Sequence, residues 1–92
     1  DRNRDCQIKY VAPTNEIEEL VAEVWQEVFS LEKIGINENF LELGGHSLTA
    51  IKIVSRLAEQ LDLTIPVSII FERPNIAEIA QYVEQRILTE MG

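Results

Sequence analysis

Phe40-Leu41-Glu42-Leu43-Gly44-Gly45-His46-Ser47-Leu48 is the stretch on which the fold turns, because two glycines break regular structure just before a serine and an apolar-periodic run begins just after it. That order puts Ser47 at the start of a helix. Backbone N–H groups lack intrahelical partners there, and the helix dipole adds partial positive charge, so the position suits an attached or approaching phosphate. A bare Gly-x-Ser of this kind also reads as a helix cap, so the surrounding chain has to decide between cap and site.

The helix that follows is predicted over roughly Ser47 to Leu61. At about 100° per residue, Ala50, Val54, Leu57, Ala58 and Leu61, flanked by Ile53, gather in one sector that reads as the buried stripe. Leu48 falls away from that sector beside Lys52, Ser55 and Glu59, and Ile51 lies on its border. An apolar side chain next to the serine but off the core face reads as a docking surface, although single surface leucines are common.

Upstream, residues 30 to 46 form a connection longer than a helix hairpin needs, so it must either pack or work. Ile34, Ile36, Phe40, Leu41 and Leu43 are its candidate anchors, with one short turn expected around Phe40. Asn37-Glu38-Asn39 followed by Glu42 lacks the ligand spacing and internal glycine of a calcium loop. The first helix is predicted from Thr14 or Asn15, where Asn15 and Glu18 have capping-box spacing and Glu16, Glu18 and Glu19 suit the positive helix end. Ile17, Leu20, Val21, Val24, Trp25, Val28 and Phe29 give it one wide apolar stripe. Residues 1 to 9 are polar and unpatterned and read as a linker from an upstream domain, with Tyr10 and Val11 expected to pack back onto the bundle.

Downstream, Leu63 to Phe71 is rich in β-branched residues, but Pro66 and the lack of a partner strand favour a short helix from Pro66 to about Phe71. Pro74 ends that element by Arg73. Asn75 and Glu78 repeat the capping-box spacing, and Ile76, Ile79, Ala80, Val83 and Ile87 stripe a last helix running to about Leu88.

Composition bounds what such a chain can do. Its 92 residues, 46% hydrophobic, supply one modest core and no cleft between lobes. Sixteen acidic against eight basic residues give a charge of −8, which argues against a nucleic-acid backbone as partner. Cys6 stands alone, so neither an internal disulfide nor a paired-cysteine zinc site is available, and no metal site is expected. No run approaches the roughly 18 apolar residues of a membrane span, and Asp1-Arg2-Asn3-Arg4-Asp5 does not resemble a signal peptide. The expectation is a soluble, cytoplasmic chain without a membrane or nucleic-acid partner, monomeric as an isolated domain.

Taken together, the Phe40-to-Leu48 nonamer, Tyr10-Val11-Ala12-Pro13, Trp25-Gln26-Glu27-Val28 and Phe71-Glu72-Arg73-Pro74-Asn75-Ile76 closely resemble the peptidyl carrier (thiolation) domains of non-ribosomal peptide synthetases. The resemblance implies an all-α, acyl-carrier-like four-helix bundle with a short third helix and a long loop between helices 1 and 2. It divides the chain into a linker (1–9), a carrier domain (10–88) and a C-terminal tail (89–92). It further implies that Ser47 carries covalent 4′-phosphopantetheine through a phosphodiester, flanked by Gly45 and His46 as cofactor-binding neighbours. The thiol of that arm would hold aminoacyl or peptidyl groups as thioesters.

The same resemblance supplies the partners: a phosphopantetheinyl transferase, and adenylation, condensation and thioesterase domains. These are expected to dock on Leu48, Ile51, Lys52, Val67, Ile70 and Phe71. A histidine before the serine leans towards a condensation partner of the ordinary type. The chain itself is expected to be non-catalytic: a serine needs a base, and His46, the sole histidine, is the immediate neighbour of Ser47 and does not face it.

Three other readings compete. An acyl carrier of fatty-acid or polyketide synthesis shares fold and cofactor, but Gly44-Gly45-His46 and the basic Lys52 and Arg56 favour the peptide type. A serine hydrolase fails on the missing second glycine of a nucleophile elbow and on chain length. A cofactor-free helical interaction module leaves the completeness of the motif without a reason.

Overall fold

A computed structural model describes residues 10–91. Among the described residues the regular elements are four helices, α1 (Glu16–Phe29), α2 (Ser47–Leu61), α3 (Ser68–Glu72) and α4 (Ile76–Met91). The expected bundle with its short third helix is therefore present. The linker assigned to residues 1–9 lies outside the described residues.

Capping accounts for where the helices begin. Asn15, extended at φ −148°, accepts a 2.8 Å hydrogen bond from Glu18 N–H at the start of α1. The reciprocal half of the box differs from the expected one, because the Glu18 carboxylate accepts from the Thr14 N–H and hydroxyl, both at 2.8 Å, rather than from Asn15 N–H. Asn75 repeats the first half, accepting from Glu78 N–H at 2.9 Å.

The first two helices end on non-glycine residues in the left-handed region, Ser30 at φ 58° and Asp62 at φ 56°. Their N–H groups close back on Gln26 O and Ala58 O, satisfying carbonyls that the helix leaves open. Two boundaries differ from expectation. α3 starts at Ser68 rather than Pro66, with Pro66 O accepting from Ile69 N–H ahead of it, and α4 runs on past Leu88 to Met91.

The apolar stripes converge on one core. α1 packs against both α4 and α2, and Val21, Val24, Trp25, Ile53, Leu57, Ile76, Ile79 and Val83 are buried between them. Burial of this many branched and aromatic side chains, at roughly 1.5–3 kcal/mol each, drives the fold.

The long loop belongs to that core. Ile34, Ile36 and Phe40 are buried, and backbone hydrogen bonds tie the loop on both sides. Ile36 N–H donates to Val11 O at 3.0 Å, Ala77 N–H to Ile36 O at 3.0 Å, and Phe40 N–H to Pro74 O at 2.6 Å. The Glu38 carboxylate, itself buried, accepts from Gly35 N–H at 2.8 Å. Val11 is half-buried and the Lys33 ammonium sits 4.2 Å over the Tyr10 ring, so these two residues do fold back onto the body. On the far side, Arg86 donates to Thr64 O, Tyr82 Oη and Glu90, lacing α4 to the α2–α3 connection. Those bonds, Glu90 first, raise its pKa above the ordinary arginine value.

Phe40 is the hub of the loop. Its ring makes edge-to-face contacts with Trp25 at 5.8 Å, Phe29 at 5.7 Å and Phe71 at 5.7 Å, joining α1, the loop and α3. Phe40→Ala is expected to cost about 3–5 kcal/mol in urea unfolding followed by circular dichroism. Leu88→Ala, at an exposed site, should stay within about 0.5 kcal/mol.

Candidate functional site

The site is built from the turn that feeds α2. Asn39 opens it, its side-chain oxygen accepting from Leu41 N–H at 2.8 Å while its carbonyl accepts from Leu43 N–H at 3.1 Å. Gly44 N–H then donates to Leu41 O at 3.1 Å and Gly45 N–H to Phe40 O at 3.0 Å, so the chain doubles back over Phe40.

The two glycines do different work there. Gly44 has φ +93°, a conformation side-chain-bearing residues rarely adopt, and open space where a Cβ would be. Gly45 lies flat on the Phe40 ring, and a Cβ there would fall 2.6 Å from both Cε atoms. One glycine supplies the bend, the other the close approach.

His46 follows in extended conformation as the N-cap of α2, its carbonyl accepting from Ala50 N–H at 2.9 Å. Its imidazole makes no capping hydrogen bond. Nε2 instead lies 3.4 Å from the Thr49 hydroxyl. Ser47 is thus the first helical residue rather than the cap, and its hydroxyl is not consumed in closing the helix. Its side chain is exposed, with no hydrogen-bond partner found among the described residues.

Charge separates this helix end from those of the other two long helices. α1 carries Glu16, Glu18 and Glu19 in its first turn and α4 carries Glu78, but the first turn of α2, like that of the five-residue α3, has no acidic residue. In a chain of net charge −8, that leaves the positive end of the α2 dipole and its unpaired N–H groups free for an external anion.

Several large apolar side chains of α2, α3 and the α1–α2 loop are exposed. Leu48 is 57% exposed, Ile51 47%, Phe71 42% and Leu41 58%. Val67 is half-buried against the core and Lys52 is exposed, with no ion pair among the described residues. Ile70 is a correction: it is fully buried and belongs to the core, because in so short a helix only one flank faces solvent. Leu41 is the opposite case, expected as an anchor but turned outward. With Phe40 committed to the interior in a tight turn its neighbour points away, and no local pattern in the sequence marks which of the two turns inward. Among the described residues no group of three His, Cys, Asp or Glu side chains is placed to hold a metal ion. Among the same residues no helix is long and apolar enough to cross a membrane.

The sequence model described as the phosphopantetheine attachment site matches residues 19–83, from α1 to α4. The chain belongs to that family. Gramicidin S synthase 2 of Brevibacillus brevis is 49% identical over 75 residues, covering 82% of this chain and 2% of the synthase. The present chain therefore corresponds to a small part of the curated relatives it matches.

Among solved structures, a chain from the phosphopantetheine transferase Sfp in complex with coenzyme A and a peptidyl carrier protein superposes with a TM-score of 0.79. It is 38% identical and covers 83% of this chain and 99% of its own length. The solution structure of PCP, a prototype for the peptidyl carrier domains of modular peptide synthetases, gives a TM-score of 0.73 at 40% identity, covering 82% of this chain and 99% of that one. The carrier domain is thus of the peptidyl type, a non-catalytic bearer of covalent 4′-phosphopantetheine. The residues fit the group: an open hydroxyl, amides free of carboxylate competition, and unobstructed space at Gly44.

The close packing of Gly45 on Phe40 yields a double-mutant test. Gly45→Ala should cost about 1–3 kcal/mol through overpacking, and Gly44→Ala a similar amount through backbone strain. In a Phe40→Ala background the Gly45→Ala penalty should largely vanish while the Gly44→Ala penalty persists, as read by urea denaturation.

Proposed function

We propose that Ser47 is the attachment residue, its Oγ forming the phosphodiester to 4′-phosphopantetheine, with Gly45 and His46 as its immediate framework. The observation that carries this reading is the freedom of Ser47, which is exposed at the head of α2 and has no capping duty. A serine hydroxyl is a weak nucleophile without an adjacent base. The only histidine, His46, is turned to Thr49, so activation belongs to a separate phosphopantetheinyl transferase. The N-terminus of α2 then supports the negative charge of the phosphodiester once it is formed.

The domain acts as a shuttle. Its arm holds aminoacyl or peptidyl groups as thioesters and presents them in turn to adenylation, condensation and thioesterase domains of a non-ribosomal peptide synthetase in the cytoplasm. Leu48, Ile51, Lys52, Phe71 and the exposed part of Val67 form the docking surface, joined by Leu41, while Ile70 supports it from beneath. Exposed apolar residues gathered around one reactive position are what a transient protein interface needs. His46 keeps the lean towards a condensation partner of the ordinary type.

Incubation with coenzyme A and a phosphopantetheinyl transferase should raise the intact mass by one phosphopantetheine group. Ser47→Ala should fold with wild-type stability to within about 0.5 kcal/mol and show no increase. An unmodified wild-type chain, or a modified Ser47→Ala chain, would refute the assignment. Leu48→Asp and Ile51→Asp should slow loading at least several-fold with unchanged helical content, and normal loading and transfer rates in both would remove the docking surface.

A further inference from the structure

The three long helices share a pairing between the residue before the helix and the one three positions on, and α2 uses that pairing differently. At α1 the Asn15 side chain accepts from Glu18 N–H at 2.8 Å, and at α4 the Asn75 side chain accepts from Glu78 N–H at 2.9 Å. In both, the leading side chain consumes a backbone donor of the first turn. At α2 the corresponding residues are His46 and Thr49, and the contact joins two side chains. The imidazole Nε2 lies 3.4 Å from the Thr49 hydroxyl, and no side chain caps the helix. The Thr49 N–H is left open.

Burial decides the direction of this contact. Thr49 is 9% exposed, whereas His46 and Ser47 are exposed. A hydroxyl proton in such a place needs an acceptor, and Nε2 is the one partner of the Thr49 hydroxyl among the described residues. The hydroxyl therefore donates and the ring accepts. A neutral imidazole that accepts at Nε2 carries its proton on Nδ1.

We infer that Thr49 is a positioning residue for the loading of Ser47, acting through His46. The inference rests on the assignment of Ser47. With the ring drawn onto Thr49, the first-turn N–H groups beside Ser47 stay uncapped, and the side from which a phosphoryl group approaches the serine stays clear. Without the hydroxyl, the ring is free to take the place that the Asn15 and Asn75 side chains hold at their own helices. It then accepts from an N–H of the first turn, and its bulk lies across the approach to Ser47. Thr49 touches neither the serine hydroxyl nor the incoming group, so its whole effect passes through the orientation of its neighbour one turn back.

Thr49→Val and Thr49→Ala remove the hydroxyl, the first at nearly constant shape, and Thr49→Ser keeps it. Ring nitrogen shifts of His46, recorded on the unloaded chain with the imidazole neutral, should place the proton on Nδ1 in wild type and Thr49→Ser and move it to Nε2 in the other two. Loading with coenzyme A and a phosphopantetheinyl transferase, followed by intact mass, should lose about fivefold or more in kcat in Thr49→Val and Thr49→Ala, because the approach geometry is disturbed. KM for the carrier should change little, since the docking side chains are untouched. Thr49→Ser should recover the rate. In a His46→Ala background Thr49→Val should add no further loss, whatever His46→Ala does by itself. A wild-type tautomer or a wild-type kcat in Thr49→Val, or a loss that persists in full in the His46→Ala background, overturns the positioning role and leaves Ser47 as the attachment residue. A wild-type chain that gains no mass removes both.

Discussion

The face of the Phe40 ring against the bare backbone of Gly45 is the contact on which the rest depends. The ring is held from three directions by Trp25, Phe29 and Phe71, so it cannot retreat. The glycine must therefore come to the ring, and the chain leaving it is aimed at the start of α2. Rigid support of this kind fixes the direction in which the chain enters α2 and so the position of Ser47 at its head. Trp25 adds to the stiffness at some cost, since its indole N–H is buried with no partner among the described residues and its burial rests on packing alone.

Electrostatics then assign the exposed end of α2 its role. Acidic side chains crowd the first turn of α1 and appear in that of α4, where they stabilise the helix by opposing its dipole. The first turn of α2 forgoes that stabilisation. The omission leaves the positive end of the α2 dipole uncompensated by its own side chains on an acidic protein.

The described residues bury one core between three long helices and the α1–α2 loop. They present the exposed Ser47 at the head of α2 beside the exposed Leu48 and Ile51. The −8 charge fits brief contacts with basic surfaces, because steering by charge raises association rates without deepening the bound state.

Much of this was legible in the chain alone. Local rules suffice for the caps at Asn15 and Asn75, the span of α2 and the placement of Ser47 at a helix start, because hydrogen bonds within four residues and the 3.6-residue period decide them. What the sequence could not decide is which loop side chains turn inward. Phe40 and Leu41 are adjacent and both apolar, and only the pocket formed by Trp25, Phe29 and Phe71 admits one and expels the other. Ile70 likewise faces the core, and the Glu18 carboxylate accepts from Thr14 rather than from its own cap residue. The sequence by itself determined the helices and the serine; the tertiary structure decided the surface around it, since burial depends on neighbours far away in the chain.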